Sequence, residues 1–190
     1  MVDAIAGNGP LHPRIEELLE HLEETRAAFL MAVAAARPAQ RAAQPEAGRW
    51  SLGELVDHVH KVESGFLRLL SHRVAQARER GAEPERDSSS IFGMMDSRIG
   101  TDRTRRIEAP PTVVPDRGAS VEEGLAALAQ SHAAVRTALV GASGLALGSL
   151  THAHPVFGTL NLYQWGLLLG WHDLRHADQV REMAGADIRG

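Results

Sequence analysis

The stretch NLYQWGLLLGWHDLRHADQVREM, residues 161–183, carries the periodicity that decides the fold. Asn161 with Gln164 three positions later is the pattern of a helical capping box. One stripe then recurs at the three- and four-residue spacing of an amphipathic helix: Trp165, Leu169, His172, His176 and Val180. The stretch therefore predicts a long helix with two histidines on one face.

Three more segments show helical periodicity and are predicted to be helices: Pro13 to about Ala36, Ser51 to about Arg80, and Ser120 to about residue 140. The second and third begin with capping-box patterns, Ser51 with Glu54 and Ser120 with Glu123. No convincing strand pattern lies between the helices. The sequence therefore predicts an all-α four-helix bundle.

Three connections join these helices, and none has the length of a tight turn: residues 37–50, 81–118 and 141–160. Simple up-down-up-down order is therefore not assured. The connection over residues 81–118 is long for a compact domain, and loops of that length are usually functional covers or mobile segments. Its segment IFGMMDSRIG, residues 91–100, has enough apolar side chains to pack over something.

Composition predicts a single domain, residues 1–190, of the soluble globular class. The chain is 44% hydrophobic and 23% charged, which is typical of that class. The net charge of -4 argues against nucleic-acid binding, which needs a basic face. The N-terminus lacks a signal-peptide pattern, and no apolar stretch approaches the length of a membrane span. We expect a cytoplasmic protein without membrane contact.

Histidine is the abundant metal-ligand type in this chain, which has ten histidines and no cysteine. The absence of cysteine excludes a thiolate nucleophile and a thiolate zinc site. His172 and His176 are four residues apart, so both imidazoles lie on one helical face and can reach one ion. An HxxxH pair alone is weak evidence for a metal site.

His58 offers a third ligand. It lies one turn after Leu55 and one turn before Val62, on the apolar face of the second predicted helix, and should point into the bundle. Metal sites in bundles are built from side chains on facing helices. Three neutral imidazoles with an open position are typical of a catalytic metal site. The alternative is a set of ordinary, hydrogen-bonded core histidines.

Two motifs carry a resemblance to a known family: RWSLGELVDHV, residues 49–59, and HPVFGTLNLYQWGLLLGWHDLRHADQV, residues 154–180. Together they resemble the DinB-like family, also called the DinB/YfiT-like metalloenzymes, over residues 11–184. The HPVFG stretch resembles a subset of that family that carries HPxFG before the last helix.

The resemblance implies a bundle in up-down-down-up order, often dimeric, that binds a divalent metal ion, commonly nickel, zinc or iron. One ligand comes from the second helix and two come from the HxxxH motif, so the matching positions are His58, His172 and His176. Characterised members include transferases and isomerases that use a low-molecular-weight thiol. A homodimer is expected on the same grounds.

Three other residues are candidates to line the pocket: His132, His154 and Glu54. His132 lies on the inward stripe of the third helix, and His154 precedes the fourth helix, near the pocket mouth. Glu54 lies one turn before His58 and could serve as a base, although a capping role is favoured. For both histidines the alternative is a purely structural role.

Several polar residues have competing interpretations. Asp173 and Asp178 could orient a ring N–H of the histidine pair, but we interpret them as solvated helix charges. Tyr163 is interpreted as a surface residue. The arginines of the long connection could bind carboxylates of a substrate or thiol, although a solvated loop is favoured: Arg98, Arg103, Arg105 and Arg106.

The functional prediction is a divalent-metal-dependent enzyme that acts on a small-molecule substrate. Thiol transfer to an electrophile and hydrolysis need the same three ligands, so the sequence does not separate these reactions. The alternative is a non-catalytic bundle, metal-free or structurally metallated, that binds a small molecule or a partner.

Overall fold

The computed structural model describes residues 10–41, 43, 49–104 and 107–185. Four long helices make up most of this part of the chain: α1 Pro13–Ala35, α3 Leu52–Glu79, α5 Val121–Gly141 and α6 Leu162–Met183. Two one-turn helices, α2 Pro38–Arg41 and α4 Arg98–Thr101, lie in the connections. The predicted four-helix bundle is confirmed, and each long helix begins and ends within one residue of its predicted bounds.

Local capping explains these boundaries. At the start of α3, the Ser51 hydroxyl accepts from the Glu54 backbone N–H, and the Ser51 N–H donates to the Glu54 carboxylate. Asn161 and Gln164 make the same reciprocal pair before α6. At α5 only the forward bond of the predicted box is present, to Ser120. Each cap satisfies backbone N–H groups that the first turn leaves without partners.

The two middle long helices, α3 and α5, run parallel. A Cβ atom at Gly124 near the start of α5 would lie 2.9 Å from Cγ1 of Val56 near the start of α3. At the far ends, Arg78 of α3 donates to the carbonyl oxygen of Gly141. Parallel packing of these two helices requires a connection that returns the chain along the bundle.

The first and last helices, α1 and α6, also run parallel. Gly166 and Gly170 of α6 lie directly against Leu18 and His21 of α1, respectively. The starts of α1 and α6 share one apolar cluster with the ends of α3 and α5, and their ends share another with the starts of α3 and α5. The two pairs are therefore antiparallel, which gives the up-down-down-up order that the resemblance implied.

A layer of buried and half-buried polar side chains lies between the two apolar clusters. This polar layer consists of five residues: Arg26, Glu63, Ser131, His132 and Asp173. The long helices turn their apolar faces toward the clusters. None of the described helices combines the length and the apolarity needed to cross a membrane.

A short β-hairpin precedes α6, where the sequence predicted no strand. β1 Thr151–His154 pairs antiparallel with β2 Gly158–Asn161. The prediction failed because five of these eight residues are exposed, so the hairpin lacks the apolar alternation that marks a half-buried strand. Gly158, at the turn, has a φ of 76°, in the left-handed region that favours glycine.

The long connection between α3 and α5 is fixed first to α1. Arg14 Nε donates to the Ser89 carbonyl oxygen at 2.9 Å, and Ile91 N–H donates to the Glu17 carboxylate at 2.7 Å. Ile91 is completely buried. The apolar segment that starts at residue 91 therefore packs onto the bundle, as its composition indicated.

The rest of the connection crosses α6 and ends beside α3. Gly100 of α4 lies so close to α6 that a Cβ atom there would be 2.6 Å from Cβ of Trp171. Farther along, Lys61 of α3 donates to the Val114 carbonyl oxygen at 3.1 Å. This return segment, residues 111–118, brings backbone groups to the side of α3 that carries His58.

Candidate metal centre

His58 is positioned by the packing of α3. Its helical neighbours Leu55 and Val59 are completely buried, so this part of α3 faces the core. The Trp50 ring packs against the imidazole with their centroids 4.6 Å apart. That contact agrees with a packing role for Trp50 at the helix entry, and it limits the movement of the His58 ring.

The Nε2 atoms of three histidines converge between α3 and α6. His172 Nε2 lies 3.1 Å from His58 Nε2 and 3.0 Å from His176 Nε2. Two nitrogens that each lie 2.0–2.1 Å from a tetrahedral ion are about 3.3 Å apart. We call these three residues the histidine triad. Two of its Nε2–Nε2 distances are close to that expected for ligands of one ion, and one ring nitrogen from each histidine lies within 4.8 Å of the others.

Hydrogen bonds to the opposite ring nitrogens indicate which nitrogens can bind an ion. His58 Nδ1 lies 2.7 Å from the Val113 carbonyl oxygen, and His176 Nδ1 lies 3.0 Å from the Gln179 side-chain oxygen. Oxygens of this kind only accept, so each Nδ1 carries the proton and each Nε2 presents its lone pair to the triad. His172 Nδ1 is buried and has no hydrogen-bond partner among the described residues, and the Nε2 atom of this ring faces the other two rings.

Burial favours the neutral form of all three triad imidazoles. Burial lowers the pKa of His58, and it lowers the pKa of His172 well below its ordinary value. The pKa of His176 is lowered to about 3, mainly by burial and then by the nearby His58. Neutral imidazoles are the form that binds metal ions. The donor set and its protonation therefore fit a divalent ion.

The charged groups nearest the two triad histidines of α6 include two arginines. Arg175 lowers the pKa of both, and Arg103 lowers that of His176. The Arg175 guanidinium donates to the Asp102 carbonyl oxygen, and Arg103 pairs with Glu182. The triad cluster has no carboxylate among the described residues. A divalent ion there would therefore keep its positive charge and favour an anionic ligand at any open position.

The arginines of the long connection have different surroundings. Arg98 is paired with Asp96, and its side chain is 84% exposed, as expected for a solvated loop. Arg103 is paired with Glu182 of α6, and its charge contributes to lowering the pKa of His176. Arg105 and Arg106 lie outside the described residues. Of the two described arginines of this connection, Arg103 acts on a triad histidine and Arg98 is solvated.

His132 does not join the triad. Its Nδ1 lies 3.0 Å from the Glu63 carboxylate, and its Nε2 lies 3.4 Å from the Glu23 carboxylate. The hydrogen bond to Glu63 raises the pKa of His132. This histidine therefore belongs to the polar layer, where the carboxylates favour its protonated form.

Glu54 and His154 also lie outside the triad. The Glu54 carboxylate accepts from the N–H groups of Ser51 and Gly118, so both its oxygens are used near the start of α3. His154 ends β1, before the first turn of α6, whereas His172 lies about 15 Å farther along that helix. The structure places His154 before the start of α6, whereas the triad histidines of α6 lie in the middle and second half of that helix.

Two polar residues interpreted as solvent-facing are in fact buried. Tyr163 is fully buried and its hydroxyl donates to Glu85 at 3.1 Å. Asp173 is 1% exposed, and its Oδ2 lies 3.1 Å from Arg26 Nε. Burial raises the pKa of Asp173 to about 7 despite that arginine. Both interpretations were wrong because Glu85 and Arg26, the partners of Tyr163 and Asp173, lie far from them in the sequence.

Comparison with known proteins agrees with this architecture. The chain is 24% identical over 151 residues to the uncharacterised protein YuaE of Bacillus subtilis (strain 168), an alignment that covers 74% of this chain and 80% of that protein. A solved structure, the four-helix bundle protein TT2238, is similar with a TM-score of 0.57. That match is 23% identical and covers 88% of this chain and 98% of the other, which at this identity shows the fold alone.

The family comparison covers both histidine-bearing helices. The sequence model of the DinB superfamily matches residues 21–180, a range that contains the whole triad. The up-down-down-up order of the bundle and the position of its three histidines agree with what the resemblance implied. The chain belongs to the DinB superfamily.

Proposed function

We propose that His58, His172 and His176 bind one divalent metal ion and that the loaded site is catalytic. The observation that carries the proposal is the convergence of three Nε2 atoms from two buried histidines and one half-buried histidine, at least two of which present lone pairs to the centre. His172 Nε2 lies about 3 Å from each of the other two nitrogens. A divalent ion between the three rings could be coordinated by all three Nε2 atoms.

A divalent ion bound by three imidazoles would supply Lewis acidity, which lowers the pKa of a coordinated water or thiol. The chain has no cysteine, so a thiol nucleophile would come from a low-molecular-weight cofactor. We therefore propose either transfer of such a thiol to a small electrophile or hydrolysis of a small molecule.

The residues around the triad would prepare the site before any ligand arrives. The Val113 carbonyl oxygen and the Gln179 side chain fix two rings with their Nε2 lone pairs inward. Burial excludes bulk water and keeps the imidazoles unprotonated. Arg175 and Arg103 add positive charge on the α6 side, which favours an anionic nucleophile or a carboxylate-bearing substrate.

Metal content tests the first half of the proposal. Untagged protein purified without added metal or chelator is analysed by inductively coupled plasma mass spectrometry. We expect about one equivalent in the wild type, loss of that metal in His58→Ala and His176→Ala, and retention in His72→Ala, whose side chain is exposed on α3. An empty wild type that also takes up neither zinc nor nickel would overturn the proposal.

Turnover tests the second half. The metal-loaded protein is assayed against small electrophiles with a panel of low-molecular-weight thiols, and against ester and amide substrates without a thiol. We expect activity that a chelator abolishes and that His176→Ala lacks. A loaded protein that turns over none of these substrates would contradict the catalytic assignment and favour a non-catalytic, metallated bundle.

A further inference from the structure

Three charged side chains fasten the return segment of the long connection to α3. Lys61 Nζ lies 2.9 Å from the Asp57 carboxylate one turn earlier on α3, and 2.9 Å from the carboxylate of Asp116 in the return segment. The Asp116 backbone N–H donates to the Asp57 carboxylate at 2.8 Å. We call Asp57, Lys61 and Asp116 the latch.

The latch lies next to the bond that orients His58. Two consecutive carbonyl oxygens of the return segment face α3: that of Val113 accepts from His58 Nδ1 at 2.7 Å, and that of Val114 accepts from Lys61 Nζ at 3.1 Å. His58 and Lys61 are three residues apart, so their side chains project from the same face of α3. Because Val113 and Val114 are consecutive, the bond that holds the Val114 carbonyl on Lys61 also helps to hold the Val113 carbonyl on His58.

Apolar burial contributes little to holding the return segment. Among residues 111–118 only Pro115 is buried, and Val113 is half-buried. The segment therefore depends on polar contacts with α3 for its register. Its hydrogen bonds with α3 side chains include those with the latch, the His58 ring and Glu54.

We propose that Lys61 is a positioning residue for the candidate metal centre. With Asp57 and Asp116 it holds the Val113 carbonyl on His58 Nδ1, which keeps the proton on Nδ1 and leaves Nε2 as a ligand. The consequence for metal affinity rests on the proposed function, whereas the consequence for the His58 tautomer does not. Lys61 acts through a backbone carbonyl: it is hydrogen-bonded or ion-paired to Val114, Asp57 and Asp116.

The tautomer is measured first, on metal-free protein, from the ring ¹⁵N chemical shifts of His58 at neutral pH. We expect the wild type to have Nδ1 protonated and Nε2 free. Lys61→Met should move a substantial fraction of His58 to the other tautomer, and Lys61→Arg should restore the wild-type pattern, because a guanidinium can also bridge two carboxylates. Arg181→Met, which removes the Arg181–Asp178 pair on α6, is the matched control.

Zinc affinity is then measured by competition with a chelating dye. Loss of an outer partner of a metal-bound histidine typically costs 10- to 100-fold in affinity, so we expect Lys61→Met to bind zinc at least about tenfold more weakly. Lys61→Arg and Arg181→Met should stay within about twofold of the wild type. Asp116→Asn changes a side chain that is 85% exposed and should also weaken zinc binding. This variant provides the test if Lys61→Met proves unstable.

The two readouts separate this inference from the proposed function. A wild type that binds no zinc defeats the proposed function, and the tautomer comparison still tests the latch in that case. Unchanged His58 tautomers in both Lys61→Met and Asp116→Asn would overturn the positioning role. Equal zinc affinity in the wild type and in both variants would overturn it as well.

Discussion

Arg26 of α1 donates from Nη2 to the Glu63 carboxylate of α3 at 2.8 Å, with side-chain exposures of only 6% and 1%. The same guanidinium lies 3.1 Å from Asp173 of α6 through Nε, at an angle outside the hydrogen-bond range. Ser131 of α5 donates to the second oxygen of Glu63. The polar layer thereby joins all four long helices at one level of the bundle.

Replacing Arg26 should destabilise the protein strongly. Arg26→Met leaves two buried carboxyl groups without their shared cation, and breaking a buried ion pair typically costs 3–5 kcal/mol. We expect a loss of about that size in the free energy of unfolding, measured by urea denaturation. The exposed Arg98→Met should change stability by less than about 0.5 kcal/mol.

The reason for that loss can be tested by removing the carboxylates too. If uncompensated charge is the cause, Arg26→Met combined with Glu63→Gln and Asp173→Asn should be more stable than Arg26→Met alone. A combined variant that is less stable than the single one would show that packing of the Arg26 stem, and not its charge, dominates.

Gln179 should strengthen metal binding by orienting the ring of His176 on α6. Its side-chain oxygen accepts from His176 Nδ1 at 3.0 Å, so Gln179→Leu leaves that N–H without its acceptor. We expect zinc to bind about 10- to 100-fold more weakly, whereas Gln179→Glu keeps an acceptor and retains binding. Gln130→Leu, at an exposed position of α5, serves as the control. Unchanged affinity in Gln179→Leu would contradict this role.

The hairpin turn should loosen in acid. His154 Nδ1 accepts from the N–H groups of Val156 and Phe157 at 3.1 and 3.3 Å, and burial lowers the pKa of His154 from 6.5 to about 4. Because the unfolded chain binds this proton more tightly, the stabilisation is complete above pH 6.5 and is lost as the pH falls toward 4.

Amide chemical shifts of Val156 and Phe157 test that expectation. Both signals should move together with a midpoint near pH 4. In His154→Asn the side-chain oxygen can still accept these bonds but does not titrate, so the movement should disappear. A midpoint at 6.5, the ordinary value for histidine, would mean that the ring is not buried in solution.

Two helical glycines should respond in opposite directions to substitution by alanine. At Gly170 of α6 a Cβ atom would lie 2.2 Å from Nε2 of His21, which contacts the Leu167 carbonyl oxygen at 3.0 Å. Overpacking of this kind typically costs 1–3 kcal/mol. At Gly65 of α3 the nearest atom would be 3.8 Å away, so alanine should stabilise by about 0.5–1 kcal/mol.

Thermal unfolding distinguishes the two glycine variants. We expect the midpoint to fall in Gly170→Ala and to rise in Gly65→Ala. A Gly170→Ala variant as stable as the wild type would mean that α1 and α6 can separate slightly without loss.

Local sequence signals were sufficient to predict the four long helices and to predict that the His58 side chain points into the bundle. Caps such as Ser51–Glu54 act within one turn, and apolar spacing follows directly from helix geometry, so both can be read without tertiary information. No local signal predicts that α5 runs parallel to α3. That orientation was expected only from the family resemblance, because a long connection is compatible with several orders.

The partners of buried polar groups could not be predicted from the sequence. Asp173 resembles a solvated helix residue until α1 places Arg26 beside it. The group that orients His58 is the backbone carbonyl of Val113. Every residue has such a carbonyl, so no side chain marks this one. These features depend on which segments meet, and only the folded chain determines that.

The pairing of α1 with α6 also sets the order in which the protein can fold during synthesis. His21 contacts the carbonyl of Leu167, which is 146 positions later in the chain. At roughly 5–20 residues per second, the ribosome takes on the order of 7–30 s to produce that partner. The apolar face of the first helix is exposed for that time, when a holdase chaperone could bind it. Two of the three triad histidines are then the last part of the site to leave the ribosome.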